Sequence, residues 1–391
     1  MKVIYDAIII GAGPAGSFCS YKMAKKGLKV LLVDASPTIK RKVCGEYLCP
    51  SGYQVLSEEG WGPTLDEMFL PINGMKIVSP EGTVLNTVFP KLSHQTKGLA
   101  VNRKSFDQFL VEKALEVGVT FLKDTRISSL DSTSIGWNVL DQKDNKFCAR
   151  LVIGADGRNS FTAKKLKLSS KIDTSRIALH CHISSKDKNK RFGEMHLFND
   201  GSYIGIDPIG NEETNFSLVC DSKRLGDFPN LHSLLNNYIN SSSALKSSYG
   251  EIQESIKINT VAPITNSISN FTGKKFALIG DAAGFLDPLT GEGMYNALWT
   301  ARSLSNQLAS KGENSLFNFS AGIQNYARLK RRFFLQKSIL NGIFQWVIKH
   351  PIASKILAKF LSKKQLRADI FVGIIGNIYR PLEGLYKLLR A

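Results

Sequence analysis

The 391-residue sequence is poor in the features that staple or span. Its six cysteines, Cys19, Cys44, Cys49, Cys148, Cys181 and Cys220, stand singly apart from the Cys44/Cys49 pair. No CxxC pair and no Cys/His set has zinc-like spacing, which argues against a structural metal and against a disulfide framework. The N-terminus has no basic segment leading into a cleavable apolar run. It enters an apolar strand at once, so the chain is expected in the cytoplasm, where a Cys44–Cys49 bridge is disfavoured and Cys49 reads as structural. Long hydrophobic runs are missing from the C-terminal part, whose longest uncharged stretch, Ser338 to Ile348, is far too short to span a bilayer. Acids are scarce at that end too. Residues 321–391 hold 14 Lys and Arg against only Asp369 and Glu383, so they carry most of the chain's net +18.

What is present begins at the N-terminus. Residues 3–10 (Val3-Ile-Tyr-Asp-Ala-Ile-Ile-Ile10) form an apolar, β-branched run with the length of a buried parallel strand. The run enters Gly11-Ala-Gly13-Pro14-Ala15-Gly16, a helical stretch follows from Ser17 to Lys26, and a second strand, Lys29 to Val33, ends at Asp34. This is a complete βαβ unit. Its glycines permit a tight turn and close backbone approach, and the helix N-terminus offers N–H groups to a pyrophosphate. Asp34 is spaced to accept hydrogen bonds from ribose hydroxyls.

Two later segments narrow the cofactor. Val152-Ile-Gly154-Ala155-Asp156-Gly157-Arg158 is a strand running into an Asp-Gly turn. Ala277-Leu-Ile-Gly280-Asp281-Ala-Ala-Gly284 leads through Asp287-Pro288-Leu-Thr290-Gly291-Glu292-Gly293 into a helix from about Met294. The order GxGxxG, Asp-Gly, Gly-Asp resembles the FAD-dependent oxidoreductases of the p-hydroxybenzoate hydroxylase and geranylgeranyl reductase class, from residue 3 to about 330. The resemblance implies a doubly wound, Rossmann-like FAD-binding domain, an antiparallel substrate sheet and a helical C-terminal cap. It implies FAD as the cofactor. No second GxGxxG is present, so NAD(P)H is expected only as a transient reductant.

The same resemblance assigns roles. Gly11, Gly13, Pro14, Ala15 and Gly16 would line the pyrophosphate, with Asp34 and Ala35 at the adenosine end. Asp156 and Gly157, then Gly280 and Asp281, would follow the cofactor toward its ring, with Pro288, Gly291, Gly293 and Met294 beside the flavin. Arg41 and Arg103 are further cofactor candidates, and Asp156 reads equally well as a turn former. On the reactive side, Cys44-Gly45 matches a Cys-Gly pair that lies beside the flavin in the reductases. Cys44 could donate a proton during alkene reduction.

Other details pull in different directions. Gly284 replaces a His common in the hydroxylases, which leans toward the reductases. The Tyr-x-Trp-x-Phe-Pro pattern of those reductases is represented only by Tyr203-Ile-Gly205-Ile-Asp207-Pro208, which weakens the case for a polyprenyl substrate. The Trp-x-Trp-x-Ile-Pro stretch of flavin halogenases lacks both tryptophans. Tyr203, with Cys44 and Gly45, completes the catalytic candidates. His180 and His182 share one strand face and read more readily as structural groups than as pocket lining.

These readings predict a flavin domain over 1–70, 100–170 and 270–330, a substrate sheet over 71–99 and 171–269, and a basic amphipathic helical region over 331–391. The expected activity is hydroxylation of a hydrophobic or aromatic substrate through a flavin C4a-hydroperoxide. Geranylgeranyl-reductase-like reduction of C=C bonds in a lipid-like substrate is the alternative, and a flavin module without redox turnover is a third reading. Partners expected of the basic end are an anionic membrane face, giving a peripheral location, or an acidic carrier protein, unless its apolar faces simply cap the substrate pocket with the lysines solvated. Nucleic acid has no supporting motif.

Overall fold

The computed structural model describes residues 4–91, 96–168, 170–184, 191–210, 212–308 and 319–391. Val3, the first residue of the expected opening strand, lies outside the described residues, as do parts of the expected domain spans at 92–95, 169, 185–190, 211 and 309–318.

Strand Ile4–Ile10 is central because both its faces are apolar, and Ala7, Ile8 and Ile9 are wholly buried. It pairs in parallel with Val30–Val33 on one side and Lys146–Gly154 on the other. Thr120–Leu122 and Phe276–Leu278 extend the parallel sheet at its two flanks. The opening, Asp-Gly and Gly-Asp motifs therefore leave the C-terminal ends of three adjacent strands. That is where open α/β sheets bind nucleotides. Helices Pro14–Ala24, Arg103–Glu116 and Gly293–Gln307 pack over one face in the main core.

The second sheet has seven strands, ordered Asn259–Val261, Arg176–Ser184, Glu213–Asp221, Tyr203–Gly210, Phe192–Leu197, Gly74–Val78 and Val84–Asn86. Its pairs are antiparallel except Phe192–Leu197 with Gly74–Val78, which run parallel. The exception is permitted because those two strands are joined by a long excursion through the flavin domain rather than by a hairpin. Helices Leu231–Asn240 and Ser243–Tyr249 stand where strands alone were expected. Leu234, Leu235, Tyr238 and Ile239 recur at helical spacing and seal one face of the sheet.

The C-terminal region is helical: Phe319–Lys349, Pro351–Ser362, Gln365–Ile375 and Pro381–Arg390. Its first helix starts well before residue 331. Phe319, Ile323, Tyr326 and Ala327 belong to the flavin-domain core, and the Tyr326 hydroxyl donates to the Leu278 carbonyl at 2.8 Å. Pro351 ends this helix and opens the next at its first position. Among the described residues, no helix is long and apolar enough to cross a membrane.

Candidate active site

At the nucleotide end, Gly11 has φ +106° and packs against the Ala155 carbonyl, while Gly16 sits so close to the Gly11 carbonyl that any side chain would overlap it. Gly13 is the N-cap of helix Pro14–Ala24 and supplies no side chain, so the helix N-terminus is uncapped. The Lys42 ammonium lies 3.6 Å from where a Gly13 Cβ would stand. A helix N-terminus and a lysine converging on one backbone turn make an anion site. Asp34 accepts from the Ala12 and Ser36 N–H groups, each at 2.8 Å. Each carboxylate oxygen has a second lone pair, so a ribose can still be held there, next to Ala35.

Gly280, at φ +58°, abuts Ala15, which brings the third motif onto the first. Arg158 reaches Asp281 at 3.5 Å, beside the turn made by Gly157 at φ +75°. Among the described residues, buried Arg158 Nη1 and Asn296 Oδ1 have no hydrogen-bond partner. Such groups require a polar partner, and an extended phosphate- and amide-bearing cofactor supplies one. The uncapped helix, Lys42 and these two orphaned atoms fit FAD.

Three candidates have partners within the protein. The Asp156 carboxylate accepts from the Ser160 hydroxyl and from both the N–H and hydroxyl of Thr162, so it organises the turn into helix Phe161–Lys165. Arg41 forks onto Glu46 at 2.9 and 3.0 Å and reaches Glu213 at 3.0 Å. Arg103 is buried and forks onto Asp107 within its own helix at 2.9 Å; burial disfavours its charge, but Asp107 and the neighbouring Cys44 hold it in the charged form.

At the reactive end, a cavity of about 1100 Å³ lies between the flavin domain and the second sheet. Cys44, Gly45, His180, Tyr203, Pro288, Gly291, Gly293 and Met294 share its wall. The N-terminus of helix Gly293–Gln307 has no side-chain cap, as a charge-bearing ring would require. Met75, Met195, Leu289, Thr290, Val372 and Ile375 also line a second, apolar space of about 770 Å³, walled by Phe344, Ile348, Leu357 and Leu361 of the terminal helices.

Side chains from distant elements fix this wall. The Tyr203 hydroxyl donates to Asp287 Oδ1 at 2.6 Å and Arg176 to Asp287 Oδ2 at 2.8 Å, tying the substrate sheet to the Gly-Asp loop. Burial, aided by Asp287, pushes the Tyr203 phenol well above its ordinary range, so it serves as a neutral donor. Glu292 is held by Lys337 at 2.8 Å and by Asn377 at 2.9 Å. The Asn341 amide donates to the Asp287 carbonyl, and the Lys330 ammonium to the Ala283 carbonyl. The basic terminal region thus spends two of its lysines internally, where the sequence suggested solvated charge.

Glu46 is fully buried at φ +54°. Burial alone would raise its carboxyl, but hydrogen bonds from His182, Arg41 and the Arg103 N–H bring it down to about 2. His182 reaches Glu46 at 2.7 Å, and its ring packs edge-on against His180. His180 has no hydrogen-bond partner at either ring nitrogen among the described residues. Burial, and then the neighbouring His182, lower it to about 4, so it is a neutral imidazole in the cavity wall. Glu46, His180 and His182 offer ligand atoms within 4.8 Å of one another, yet the Arg41 fork already occupies the carboxylate.

Lys42, Glu46, Asn296, Lys337 and Asn377 were not singled out from sequence. Only Lys42 had a local signal, the basic run Lys40-Arg41-Lys42 just after the second strand. The others depend on contacts from remote segments.

Comparison with known proteins agrees with this geometry. A family model described as "FAD binding domain" matches residues 4–315. The digeranylgeranylglycerophospholipid reductase of Methanosarcina acetivorans is 30% identical over 317 residues, covering 76% of this chain and 73% of that protein. The enzyme of that name from Methanococcus aeolicus is 28% identical over 384 residues, covering 93% of this chain and 89% of its own. A flavin-dependent brominase superposes with TM-score 0.82 at 21% identity, over 98% of this chain and 96% of that one. A geranylgeranyl bacteriochlorophyll reductase-like protein from Thermoplasma acidophilum gives 0.76 at 21% identity, with each chain wholly covered. At these identities the two structures speak for the fold alone.

Proposed function

The chain belongs to the FAD-binding-domain family, as an FAD-dependent oxidoreductase, and from that premise we propose that it reduces carbon–carbon double bonds in a long isoprenoid lipid. This reverses the order in which the sequence alone ranked hydroxylation and reduction. The observation that carries the reading is an apolar space among the terminal helices that shares six wall residues, Met75, Met195, Leu289, Thr290, Val372 and Ile375, with the Cys44 cavity. A small aromatic substrate has no use for that second compartment, whereas a polyprenyl chain requires it. The names carried by the archaeal relatives support the same choice.

Reduced FAD, when bound, supplies a hydride to one alkene carbon. The Cys44 thiol gives its proton to the adjacent carbon, so the double bond gains two hydrogens and the thiolate recovers a proton from solvent. The hydride would derive from a two-electron donor of the NAD(P)H class. Tyr203, Asp287 and Arg176 hold the Gly-Asp loop against the substrate sheet, and Glu292 with Lys337 and Asn377 holds the helix start. The apolar walls of the second space suit a hydrocarbon chain, while the Cys44 cavity adds polar groups such as His180. Gly205, in place of the Trp of the reductase pattern, has nothing within 4 Å of where its Cβ would stand, which widens the cavity instead of closing it to a chain.

The test is anaerobic. Reduced enzyme mixed with a digeranylgeranyl phospholipid is expected to reoxidise without oxygen, and the product mass to rise by two hydrogens per double bond. Turnover only with oxygen, with one oxygen atom added to the product, would instead establish hydroxylation.

A further inference from the structure

The last four helices present an apolar outer face that no part of the described chain covers. On Pro381–Arg390 the residues Leu382, Leu385, Tyr386 and Leu389 recur at i, i+3, i+4 and i+7, and Leu382 and Leu389 are 78% and 72% exposed. An apolar stripe at that spacing ordinarily faces a core. Here Gly384 and Leu388 face the core instead. The long helix repeats the pattern with Leu335, Ile339, Ile343 and Trp346, all more than half exposed, and Pro351–Ser362 with Ile352 and Ile356. These helices pack on one another around Leu361, Ile370, Ile374 and Leu388.

Interleaved with the stripes are exposed cations: Lys349, Lys355, Lys359, Lys363, Lys364 and Lys387. Asp369 and Glu383 are the only acids from 321 to the end. A second copy of this chain would bring the same positive charge to the contact, so a self-association is opposed. A partner that is apolar beneath and negative at its surface matches both features at once. We infer that the outer face of residues 335–390 docks on the surface of an anionic lipid bilayer, lying in the interface rather than spanning it. The inward faces of the same helices, through Phe344, Leu357 and Leu361, wall the apolar space that adjoins the Cys44 cavity through shared wall residues. A docked protein therefore holds its cavity one helix thickness from the lipid. Docking deepens the lipid reading above but is measured without turnover.

Full-length, FAD-loaded protein is to be co-sedimented with vesicles of phosphatidylcholine containing about 30% phosphatidylglycerol, and with phosphatidylcholine alone. Binding at least about 10-fold stronger to the anionic vesicles is expected, weakening in about 0.5 M salt. The variant Leu382→Ser/Leu389→Ser/Ile339→Ser/Ile343→Ser changes only exposed side chains. It is expected to lose about 10-fold or more in vesicle affinity while keeping its FAD absorbance and melting temperature. Equal pelleting with neutral and anionic vesicles, or unchanged pelleting of the variant, would overturn the inference. So would a dimer in sedimentation velocity that the variant dissolves, since the face would then belong to a second copy. Vesicle binding without alkene reduction would leave docking intact and fail only the assigned reaction.

Discussion

Cys44 and His180 stand in one cavity wall, yet their surroundings give them different jobs. Cys44 is half-buried beside Arg103, and its carbonyl accepts from the Asn215 amide, which fixes the Cys-Gly turn. If its thiol is the proton source, Cys44→Ser should lower double-bond reduction by about 100-fold or more while FAD content and anaerobic flavin reduction stay unchanged. Equal turnover would remove Cys44 from the chemistry. His180 is held neutral, with a folded value of about 4 against an ordinary 6.5. Between those values the unfolded chain binds a proton that the folded chain refuses. The stabilisation is therefore complete above pH 6.5 and is lost as pH falls toward 4, by up to roughly 3 kcal/mol. Urea unfolding at pH 7 and pH 4.5 should show that loss, and His180→Gln should flatten it. Cys44 was visible in the sequence because it sits in a local Cys-Gly pattern. The neutral state of His180 was not, because it depends on burial and on the neighbouring His182, with Glu46 and Arg41 brought in from another segment.

Between elements, the contacts that count join the terminal helices to the flavin loop. Lys337 and Asn377 meet on Glu292, which stands at the N-cap position of helix Gly293–Gln307 without capping it through its side chain. Lys337→Met would leave a buried carboxylate short of its cation, at a cost of about 3–5 kcal/mol. Lys337→Met/Glu292→Gln should recover much of that, since removing both charges avoids the unpaired group. Melting temperature and FAD retention on gel filtration would read both variants, and a double mutant no better than the single would count against the pairing. The helical character of this region was legible in the sequence, but its division into four helices was not. Nor was their attachment. Lys330 and Lys337 look like members of a solvated basic run, and only the fold places the Ala283 carbonyl and the Glu292 carboxylate against them. Arg41 and Arg103 carry protein contacts that the sequence did not show, each forking onto a carboxylate, while Asp156 organises a turn, one of the two roles its sequence context allowed.

Across the whole molecule, the terminal helices are tied to the loops of the cofactor site through Lys330, Lys337 and Asn341. Removing FAD should lower the melting temperature, and adding it back at 100 times its Kd should restore about 2.7 kcal/mol; a melting curve indifferent to FAD would contradict the site. The sequence by itself determined the cofactor class. The GxGxxG, Asp-Gly and Gly-Asp segments act through their own backbones, so their chemistry is written locally and their shared place at the strand ends follows from the parallel sheet. The tertiary structure decided the rest. Whether a lysine is solvated or internal, whether an arginine meets a glutamate, and which side chains wall a cavity are all set by packing between segments far apart in the chain. No local pattern encodes that packing. The cofactor class was therefore readable from the chain itself, and the apolar space among the terminal helices became visible only in three dimensions.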